Sequence, residues 1–433
     1  MTLERIAQNG IVGAGGAGFP ADVKLNAQPE FIILNGAECE PLLHKDEELM
    51  RNHTADVIRG MQTAMTITGA QKGIVGIKGK HREIIQKLRD TVPPEIDITE
   101  IGDFYPAGDE ITLIYATTGR IVQPGQLPLS TGCVVQNPET LYNIAREKPV
   151  TEKFLTVAGA VKNPRTIKVP VGARYSDILS HFEITTRNYV IRTNGLMMGR
   201  LDTSLDIPVT KTTGGIIVLP ADHYCVRMYE RYINPQNTVR IAKAGCDQCS
   251  FCTELCPRYL LGHPVRPETA MRNRMFAPKG TDPVFAGNLY CCECNLCTFY
   301  ACPESLDPKG ATVIEKRILA GRKEKWEGKP VTAHPMADFR RVPTKKLMQR
   351  LDVTGFEDHA PLSDLRLDVA RVTLPLKQHA GKPALAVVSE NQDVAAGEQV
   401  AERDGLISAN IHSPVSGTVR RVTDNELIIE RHA

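Results

Sequence analysis

The chain has 433 residues, of which 42% are hydrophobic and 24% are charged, proportions typical of a globular protein. This length predicts two to four domains, because one hydrophobic core rarely organises so many residues. The net charge of +2 gives no indication of nucleic acid or of an anionic membrane as a partner. The first residues lack the features of a secretory signal, and no apolar run of about 18 residues predicts a membrane span, so we expect a cytoplasmic protein.

The first part of the chain, residues 1–148, alternates short apolar runs with helical patterns. This alternation predicts an α/β layer structure. After a glycine-rich start, the predicted elements are a buried strand at 31–38, helical spacing at 46–69, a strand at 73–79, an amphipathic helix at 81–90 and a strand at 98–105.

The rest of the chain changes character three times. Residues 149–235 contain short β-type runs separated by Gly and Pro, which predict a small mixed β domain. Residues 236–325 contain most of the cysteines together with helical stretches. The polar segment 326–365 is predicted to be a linker, and residues 366–433 are predicted to form a compact β-sandwich or barrel-like module.

Nine of the 12 cysteines fall between residues 246 and 302, and this crowding indicates metal ligation rather than a disulfide framework. The first motif has the spacing C-x2-C-x2-C-x3-C-P, which is the known pattern of bacterial [4Fe–4S] ferredoxins. Three thiolates at this spacing can surround one face of a cubane, and the fourth commonly binds a second cluster. The predicted ligands of this motif are Cys246, Cys249, Cys252 and Cys256.

The second motif is less regular. Counted from Cys291 it has one extra residue before its last cysteine, and Cys292 is then surplus, although Cys292 remains an alternative ligand. If the ligands cross over, Cys256 binds the second cluster and the last cysteine of the second motif binds the first. The predicted ligands here are Cys291, Cys294, Cys297 and Cys302.

Zinc is the alternative to iron–sulfur clusters, because two C-x2-C pairs can form a zinc site. The triple spacing, with Cys-Pro in both copies, favours two [4Fe–4S] clusters. Two clusters close together would carry one electron at a time.

The glycine-rich stretch 10–20 contains Gly13, Gly15, Gly16 and Gly18. A G-x-G-x-x-G pattern alone is weak evidence for a Rossmann unit, which also needs a strand before it and a helix after it. A structural glycine turn is a second possibility. The third, which we favour, is a cradle for a flavin phosphate, in which backbone N–H groups reach an anion because no Cβ blocks them.

Two acidic turns and a lysine support the cradle, although each acidic turn could equally be a solvated loop. The lysine follows the glycines directly, and an exposed lysine is its ordinary interpretation. We expect no general acid or base among these residues, since hydride transfer mainly needs stacking and orientation. The candidate cofactor-binding residues are Lys24, then Asn35, Glu38 and Glu40, then Tyr105, Gly108, Asp109 and Glu110.

These stretches together resemble the NADH- and FMN-binding subunit of respiratory complex I. That family has a GAGFP segment, a following lysine, an Asn-x-x-Glu-x-Glu-Pro loop and a Tyr-x-x-Gly-Glu-Glu segment. Its Asn-x-Glu-Thr segment is similar to Asn137–Thr140 here, which adds Asn137 and Thr140 to the expected flavin contacts. The resemblance implies an FMN- and NADH-binding α/β domain followed by a β-grasp domain of the SLBB type.

The twin cysteine motifs resemble a sub-branch formed by the RnfC proteins of the Rnf complexes and the cobalamin reductases of propanediol-utilising microcompartments. The C-terminal stretch is similar to the lipoyl-like barrel-sandwich hybrid module of this sub-branch, and its position at the C-terminus favours the cobalamin reductases. The implied fold is therefore a multi-domain α/β protein with a complex-I-flavoprotein-like FMN domain, a β-grasp (SLBB) domain, a helical dicluster ferredoxin domain and a barrel-sandwich domain.

The implied function is electron transfer from NADH through FMN and the two clusters to cobalamin, inside a bacterial microcompartment. An adenosyltransferase and shell proteins are the implied partners. One alternative is an RnfC-like electron-transport protein. Another is a non-catalytic electron relay or scaffold protein of a microcompartment.

Overall fold

A computed structural model of the chain describes residues 1–233, 235–277, 283–325 and 327–432. The first domain is built on strands alternating with helices, as its sequence predicts. Its elements are α1 (Leu3–Gln8), α2 (Ala21–Leu25), β1 (Phe31–Gly36), α3 (Lys45–Asn52), α4 (Thr54–Thr68), β2 (Lys72–Lys78), α5 (Arg82–Arg89), β3 (Ile96–Ile101), β4 (Phe104–Tyr105), α6 (Glu110–Thr118), β5 (Cys133–Gln136) and α7 (Pro138–Arg146).

Four strands of this domain form a parallel sheet in the order β3-β2-β1-β5. Ile32 and Leu34 of the central strand pack into the core on one face, and Ile33 packs into the core on the other. The sheet is therefore covered on both faces, as parallel sheets require. Ligands of open α/β sheets bind outside the carboxyl ends of the strands, so the loops after β1, β3 and β5 are the candidate positions.

The start of the chain is not a Rossmann unit. Helix α1, not a strand, precedes the glycine-rich loop, and the chain reaches β1 only after α2. A bridge between Val12 and Pro20 closes the loop at its base. The Rossmann alternative is excluded because the glycines do not connect a sheet strand to the following helix.

The second domain is a five-stranded mixed sheet with a short helix. Its elements are β6 (Glu152–Gly159), β7 (Arg165–Pro170), α8 (Tyr175–Leu179), β8 (Tyr189–Thr193), β9 (Arg200–Asp202) and β10 (Gly215–Pro220). The strand order is β7-β6-β10-β8-β9, in which β6 and β10 are parallel and the other neighbouring pairs are antiparallel. Tyr175 and Ile178 of the helix are buried in the core of this sheet.

The cysteine-rich region is helical, with short irregular turns that carry the cysteines. Its helices are α9 (Tyr224–Ile233), α10 (Pro235–Gly245), α11 (Phe251–Glu254), α12 (Pro257–Leu260), α13 (Pro267–Phe276) and α14 (Pro308–Arg322). Helix α14 begins after Asp307, whose carboxylate accepts a hydrogen bond from the Gly310 N–H at 2.8 Å and so caps the helix.

The segment 326–365, predicted to be a linker, packs against the first domain in part. Strand β11 (Val342–Pro343) pairs antiparallel with β4, and helix α15 (Thr344–Arg350) follows it. Leu347 is fully buried in a core that also contains Tyr105 and Cys294. This segment therefore helps to hold the first domain and the cysteine region together.

The C-terminal module consists of two antiparallel sheets. Its strands are β12 (Arg371–Pro375), β13 (Leu385–Ala386), β14 (Asp393–Val394), β15 (Gln399–Glu402), β16 (Ile411–His412), β17 (Gly417–Val422) and β18 (Glu426–Arg431). The strand orders are β12-β18-β17-β14 and β13-β15-β16. The sheets share one apolar core, which also includes Val171 and Ala173 of the second domain.

No helix among the described residues is both long enough and apolar enough to cross a membrane.

A buried lysine lies where the first domain, the second domain and the C-terminal module meet. Lys211 is 2% exposed, and its ammonium donates hydrogen bonds to the carbonyls of Gly10, at 2.7 Å, and Asn410, at 2.6 Å. Burial lowers the pKa of Lys211 to about 7. Burial, together with the charge of Lys211, also lowers the pKa of the neighbouring His412 to about 3. This junction therefore favours uncharged side chains.

We predict that Lys211 makes the stability of the protein rise with pH. The unfolded lysine keeps its proton up to its ordinary pKa of 10.5 whereas the folded one loses it near 7, so the unfolded state binds more protons in between. We compare the melting temperature of the wild type with that of Lys211→Met. The difference, wild type minus variant, should grow by at least about 2 °C between pH 7 and pH 9.5. The matched control is Lys382→Met, whose side chain is 70% exposed. A difference independent of pH would contradict the prediction.

Candidate iron-sulfur and flavin sites

Four cysteines from both motifs surround one cavity. Cys246, Cys249 and Cys252 of the first motif line it together with Cys302 of the second. Burial, together with the nearby Glu268 and Cys302, raises the pKa of Cys252 to about 12. This thiol needs a strongly positive partner to ionise, and an iron cluster would be one. This grouping is the one expected if the last cysteine of each motif binds the cluster of the other motif.

The remaining cysteines form a second set. Burial raises the pKa of Cys297, and the sulfurs of Cys291, Cys252 and Cys256 raise it further. The pKa of Cys294 is also raised, first by its contact with Cys292 and by burial, and further by the sulfurs of Cys256 and Cys297. Cys256 of the first motif therefore lies among cysteines of the second, the reciprocal of the position of Cys302.

The two motifs repeat an unusual backbone conformation. Four non-glycine residues between the cysteines have positive φ: Gln248 at 57°, Ser250 at 65°, Glu293 at 59° and Asn295 at 67°. Such values are uncommon outside glycine. Their recurrence indicates that the backbone of both motifs curves in the same way, as it would if the cysteines of each motif faced a bound group.

This repeat distinguishes Cys291 from Cys292. In the first motif the positive-φ residues stand two and four positions after Cys246, and in the second they stand two and four positions after Cys291. Cys291 is therefore the structural counterpart of Cys246, and Cys292 is the counterpart of Asp247. The backbone thus favours Cys291 as the ligand.

No three His, Cys, Asp or Glu side chains among the described residues converge closely enough to hold a single metal ion. The cysteines of the first set instead line the sides of a cavity. Backbone amides donate to two sulfurs, from Leu306 to Cys302 at 3.3 Å and from Glu293 to Cys291 at 3.4 Å. Hydrogen bonds of this kind tune the potential of a bound cluster. The residues therefore fit a cubane.

The first domain touches the cysteine region directly through residues predicted to bind flavin. The Tyr105 hydroxyl donates to the carbonyl of Cys294 at 2.8 Å, and Tyr105 is 1% exposed. Arg258, two residues after Cys256, donates to the Asp109 carboxylate at 2.7 Å, and both side chains are largely buried. The polar ends of Tyr105 and Asp109 thus connect the edge of the parallel sheet to the second cysteine set.

The glycine-rich loop presents open backbone near its tip. Residues 15–17 are exposed, and a Cβ built on Gly16, whose φ is +131°, would meet nothing within 4 Å. The buried Thr140 holds the loop by accepting a hydrogen bond from the Ala14 N–H at 2.9 Å. The loop can therefore offer N–H groups to a phosphate.

Gly18 is required for packing and not for access to a phosphate. Its φ is +65°, and a Cβ there would lie 2.8 Å from the Thr212 side chain and 2.9 Å from the His379 backbone. It therefore allows close packing against the second domain and the C-terminal module. Gly13 and Gly15 leave more room, with nearest contacts of 3.6 Å to Phe19 and 3.3 Å to Asn137.

The loops after β1 and β4 are tied together and to the second domain. Asn35 donates to the carbonyl of Gly108 at 2.8 Å. The Glu40 carboxylate accepts from the backbone N–H groups of Met197, at 2.9 Å, and Met198, at 2.8 Å. These residues thus position the loops, and Glu40 already has backbone partners.

Lys24 and Glu110 form an ion pair of 2.7 Å, and both side chains are partly exposed. A phosphate bound by the nearby loop would compete with this carboxylate for the lysine. The pair therefore keeps the ammonium of Lys24 beside Glu110, within the predicted flavin site.

Buried charges beneath the glycine loop were missed by sequence reasoning. The Asn137 amide donates to Asp46 at 2.8 Å, and Lys45 lies 2.5 Å from Asp46 and 3.3 Å from Glu139. Lys153 also contacts Glu139. The run of charges at the start of α3 was the available signal, but its helical spacing indicates an ordinary solvated face.

Glu38 lies beside this network. Burial raises the pKa of the Glu38 carboxyl, and the charge of Asp46 raises it further. The side chain is therefore a proton-bearing group at the carboxyl edge of the sheet.

Two buried polar atoms at this edge have no hydrogen-bond partner among the described residues: the Gln136 amide nitrogen, at the end of β5, and the Thr112 hydroxyl, in α6. Neither was singled out from the sequence. Buried polar groups are normally paired, so a polar ligand bound at this edge would supply the partners that these two lack. Together with the open glycine loop, they fit a flavin.

We predict that the cysteine at 291, and not the one at 292, holds a cluster. Cys291→Ala should lower the iron content by about four atoms per chain, because one cubane loses a ligand. Cys292→Ala, its matched control, should retain the wild-type iron and sulfide content. Iron analysis with EPR of the dithionite-reduced proteins makes the comparison. The reverse pattern would assign the ligand to Cys292.

We also predict that Glu38 makes stability fall as pH rises. The unfolded carboxyl loses its proton near its ordinary pKa of 4.5, whereas the folded one keeps it up to about 8. Between these two pH values the folded state therefore binds more protons than the unfolded state. The difference in melting temperature, wild type minus Glu38→Gln, should thus be larger at pH 5 than at pH 8. The exposed Glu4, changed to Gln, is the control, and a constant difference would refute the assignment.

Three sequence families match the chain in succession. Residues 6–146 match the Nuo51 FMN-binding domain, residues 245–307 match a 4Fe-4S dicluster domain, and residues 356–432 match the RnfC barrel sandwich hybrid domain. The first match covers the parallel-sheet domain, and the second covers both cysteine motifs. The chain therefore carries an FMN-binding domain, an iron–sulfur domain and a barrel-sandwich domain.

Whole-chain comparison gives relatives that the chain matches from end to end. The chain is 41% identical to the cobalamin reductase PduS of Salmonella typhimurium and 39% identical to that of Citrobacter freundii, over 99% of this chain and 96% of each relative. It is 34% identical to a component of the Na(+)-translocating ferredoxin:NAD(+) oxidoreductase complex of Acetobacterium woodii, over 58% of this chain and 56% of that protein. Identity at this level over nearly the whole length shows that the chain belongs to the PduS cobalamin reductase family.

Proposed function

We propose that this protein is an NADH-dependent flavin and iron–sulfur oxidoreductase that passes single electrons to cobalamin. The observation that carries the proposal is the buried junction at which Tyr105 and Asp109, at the flavin edge of the parallel sheet, bind Cys294 and Arg258 of the cysteine region. The relatives named cobalamin reductase support cobalamin as the acceptor.

The flavin would bind at the carboxyl edge of the parallel sheet. Bound FMN would take two electrons from NADH and release them singly to iron–sulfur clusters. The exposed amides of residues 15–17 would hold its phosphate, aided by Lys24. The flavin-binding loops would be positioned by Asn35, Glu38, Asn137 and Thr140. The flavin would also give hydrogen-bond partners to the unpaired groups of Gln136 and Thr112.

The chain supplies orientation at this site, and we assign no residue as a general acid or base. Hydride transfer needs the nicotinamide to be held against the flavin, and orientation alone can supply much of the acceleration. Glu38, a protonated carboxyl at neutral pH, would offer a hydrogen-bond donor without adding a negative charge beside the cofactors.

Two [4Fe–4S] clusters complete the proposed route. The first would be held by Cys246, Cys249, Cys252 and Cys302, and the second by Cys256, Cys291, Cys294 and Cys297. Each motif thus lends its last cysteine to the other cluster, as in ferredoxins with two clusters.

We assign four functional domains: residues 1–148 bind FMN and NADH, residues 149–235 form an SLBB-type β-grasp domain, residues 236–325 hold the clusters, and residues 366–433 form the barrel-sandwich module. The parallel pairing of β6 with β10, with helix α8 packed on the same sheet, supports the β-grasp assignment. The family further suggests a place inside a bacterial microcompartment, with shell proteins and an adenosyltransferase as partners.

An RnfC-like electron-transport protein is the second candidate function. The match of residues 356–432 to the RnfC barrel sandwich domain and the 34% identity to the Acetobacterium woodii protein favour it. In that case electrons would be exchanged with a partner protein and not with a corrin.

Anaerobic steady-state kinetics with NADH and aquocobalamin test the proposal. The purified protein should contain FMN and about eight iron atoms, as two cubanes require. Cys249→Ala should reduce cobalamin at least about tenfold more slowly than the wild type, because the single-electron route is broken. Cys133→Ala, which changes a buried cysteine within β5, is the matched control and should retain the rate.

A protein without flavin or iron would refute the enzymatic function. Rapid NADH oxidation with ferredoxin, combined with no reduction of aquocobalamin, would favour the RnfC-like candidate instead. Equal cobalamin rates in Cys249→Ala and the wild type would show that the clusters do not lie on the route.

A further inference from the structure

We infer that electrons leave the protein through the cluster held by Cys246, Cys249, Cys252 and Cys302, and that the acceptor docks at the mouth of its cavity. The cluster held by Cys256, Cys291, Cys294 and Cys297 is then the one that receives electrons from the flavin. This order rests on the proposed function, and it specifies which of the two clusters faces the acceptor.

The receiving cluster is joined to the flavin edge by two direct hydrogen bonds and by a third route that passes through Met197. Tyr105 binds the Cys294 carbonyl, and Asp109 binds Arg258, two residues after Cys256. Asn295, which follows Cys294, donates to the carbonyl of Met197 at 2.9 Å, and the N–H of that same methionine binds Glu40. All these contacts connect to loops at the carboxyl edge of the parallel sheet.

The exit cluster faces the other way. Every described residue that lines its cavity lies between 246 and 308, so the first domain contributes none of this lining. Cys249 is exposed and Cys246 is partly exposed, whereas in the receiving set only Cys291 is partly exposed and the other three are buried. An acceptor from solution therefore reaches this cluster more easily.

The two clusters are held close together by shared turns. Helix α11 carries Cys252 to one cluster and is followed, after Leu255, by Cys256 of the other. The turn at Cys297–Ala301 does the same with Cys297 and Cys302. Electrons can thus pass between the clusters without leaving the cysteine region.

The mouth of the exit cavity indicates the kind of acceptor. Its exposed charged groups are the carboxylates of Asp247 and Glu304 and the guanidinium of Arg272, while Glu268 lines the cavity from inside, where it binds Thr253. This negative balance would repel an acidic protein carrier and tolerate a neutral or cationic small molecule. A neutral or cationic corrin is compatible with the charge of this cavity, and an acidic ferredoxin is not.

Chelation of the purified holoprotein tests the order without relying on turnover. The protein is treated anaerobically with ferricyanide and EDTA, sampled over time, alkylated with iodoacetamide and analysed by mass spectrometry, with iron counted in parallel. The exposed cluster should lose iron first, so Cys246, Cys249, Cys252 and Cys302 should become alkylated together, at least about threefold faster than the other set.

Earlier alkylation of Cys256, Cys294 and Cys297, or equal rates for both sets, would overturn the inference while leaving the proposed function intact. Alkylation of all the cysteines at time zero, without iron release, would instead refute the clusters and with them the proposed function.

Two variants test the direction of flow by EPR. In Cys249→Ser, NADH should still reduce the remaining cluster. In Cys294→Ser, the remaining cluster should stay oxidised with NADH and become reduced with dithionite, since its link to the flavin is lost. Cys133→Ala is the control. Reduction by NADH at the wild-type rate in Cys294→Ser would overturn the order, and the dithionite signal shows that the variant is folded.

Discussion

One apolar core, shared by four segments of the chain, fixes the geometry on which the electron route depends. Leu42 of the first domain, Leu196 of the second, Leu347 of α15 and Cys294 of the second motif all lie within it, around Tyr105. A buried phenol needs a hydrogen-bond partner, and here the partner is the backbone of Cys294, a predicted cluster ligand. Movement of the cysteine region away from the sheet would expose this core and leave the hydroxyl unpaired.

The presence of an iron–sulfur domain was predictable from the sequence, because ligand spacing encodes the geometry of such a site locally, whereas the individual ligands stay predictions. The positive φ of Glu293 and Asn295 adds what spacing alone does not: it aligns Cys291 with Cys246, which favours Cys291 as the ligand. Strands with clear apolar runs, such as β1 and β2, were also predicted. The two-residue strand β11 was not, because its pairing with β4 depends on a partner more than two hundred residues away.

The flavin edge was predictable in outline and not in its contacts. Resemblance located the loops, but a motif does not say which way a side chain turns. Asp109 turns to Arg258 and Glu40 to backbone amides, while Gly18 is required by packing between domains. Lys45 and Asp46 were overlooked because a charge run at helical spacing looks the same whether it is solvated or buried.

An anaerobic reductive titration of the purified protein, with electrons counted by coulometry, tests the central claim most directly. One FMN takes up two electrons and each of two cubanes takes up one, so the account predicts about four electrons per chain, with flavin and cluster bleaching both visible in the absorption spectrum. Uptake of only two electrons, confined to the flavin bands, would contradict it.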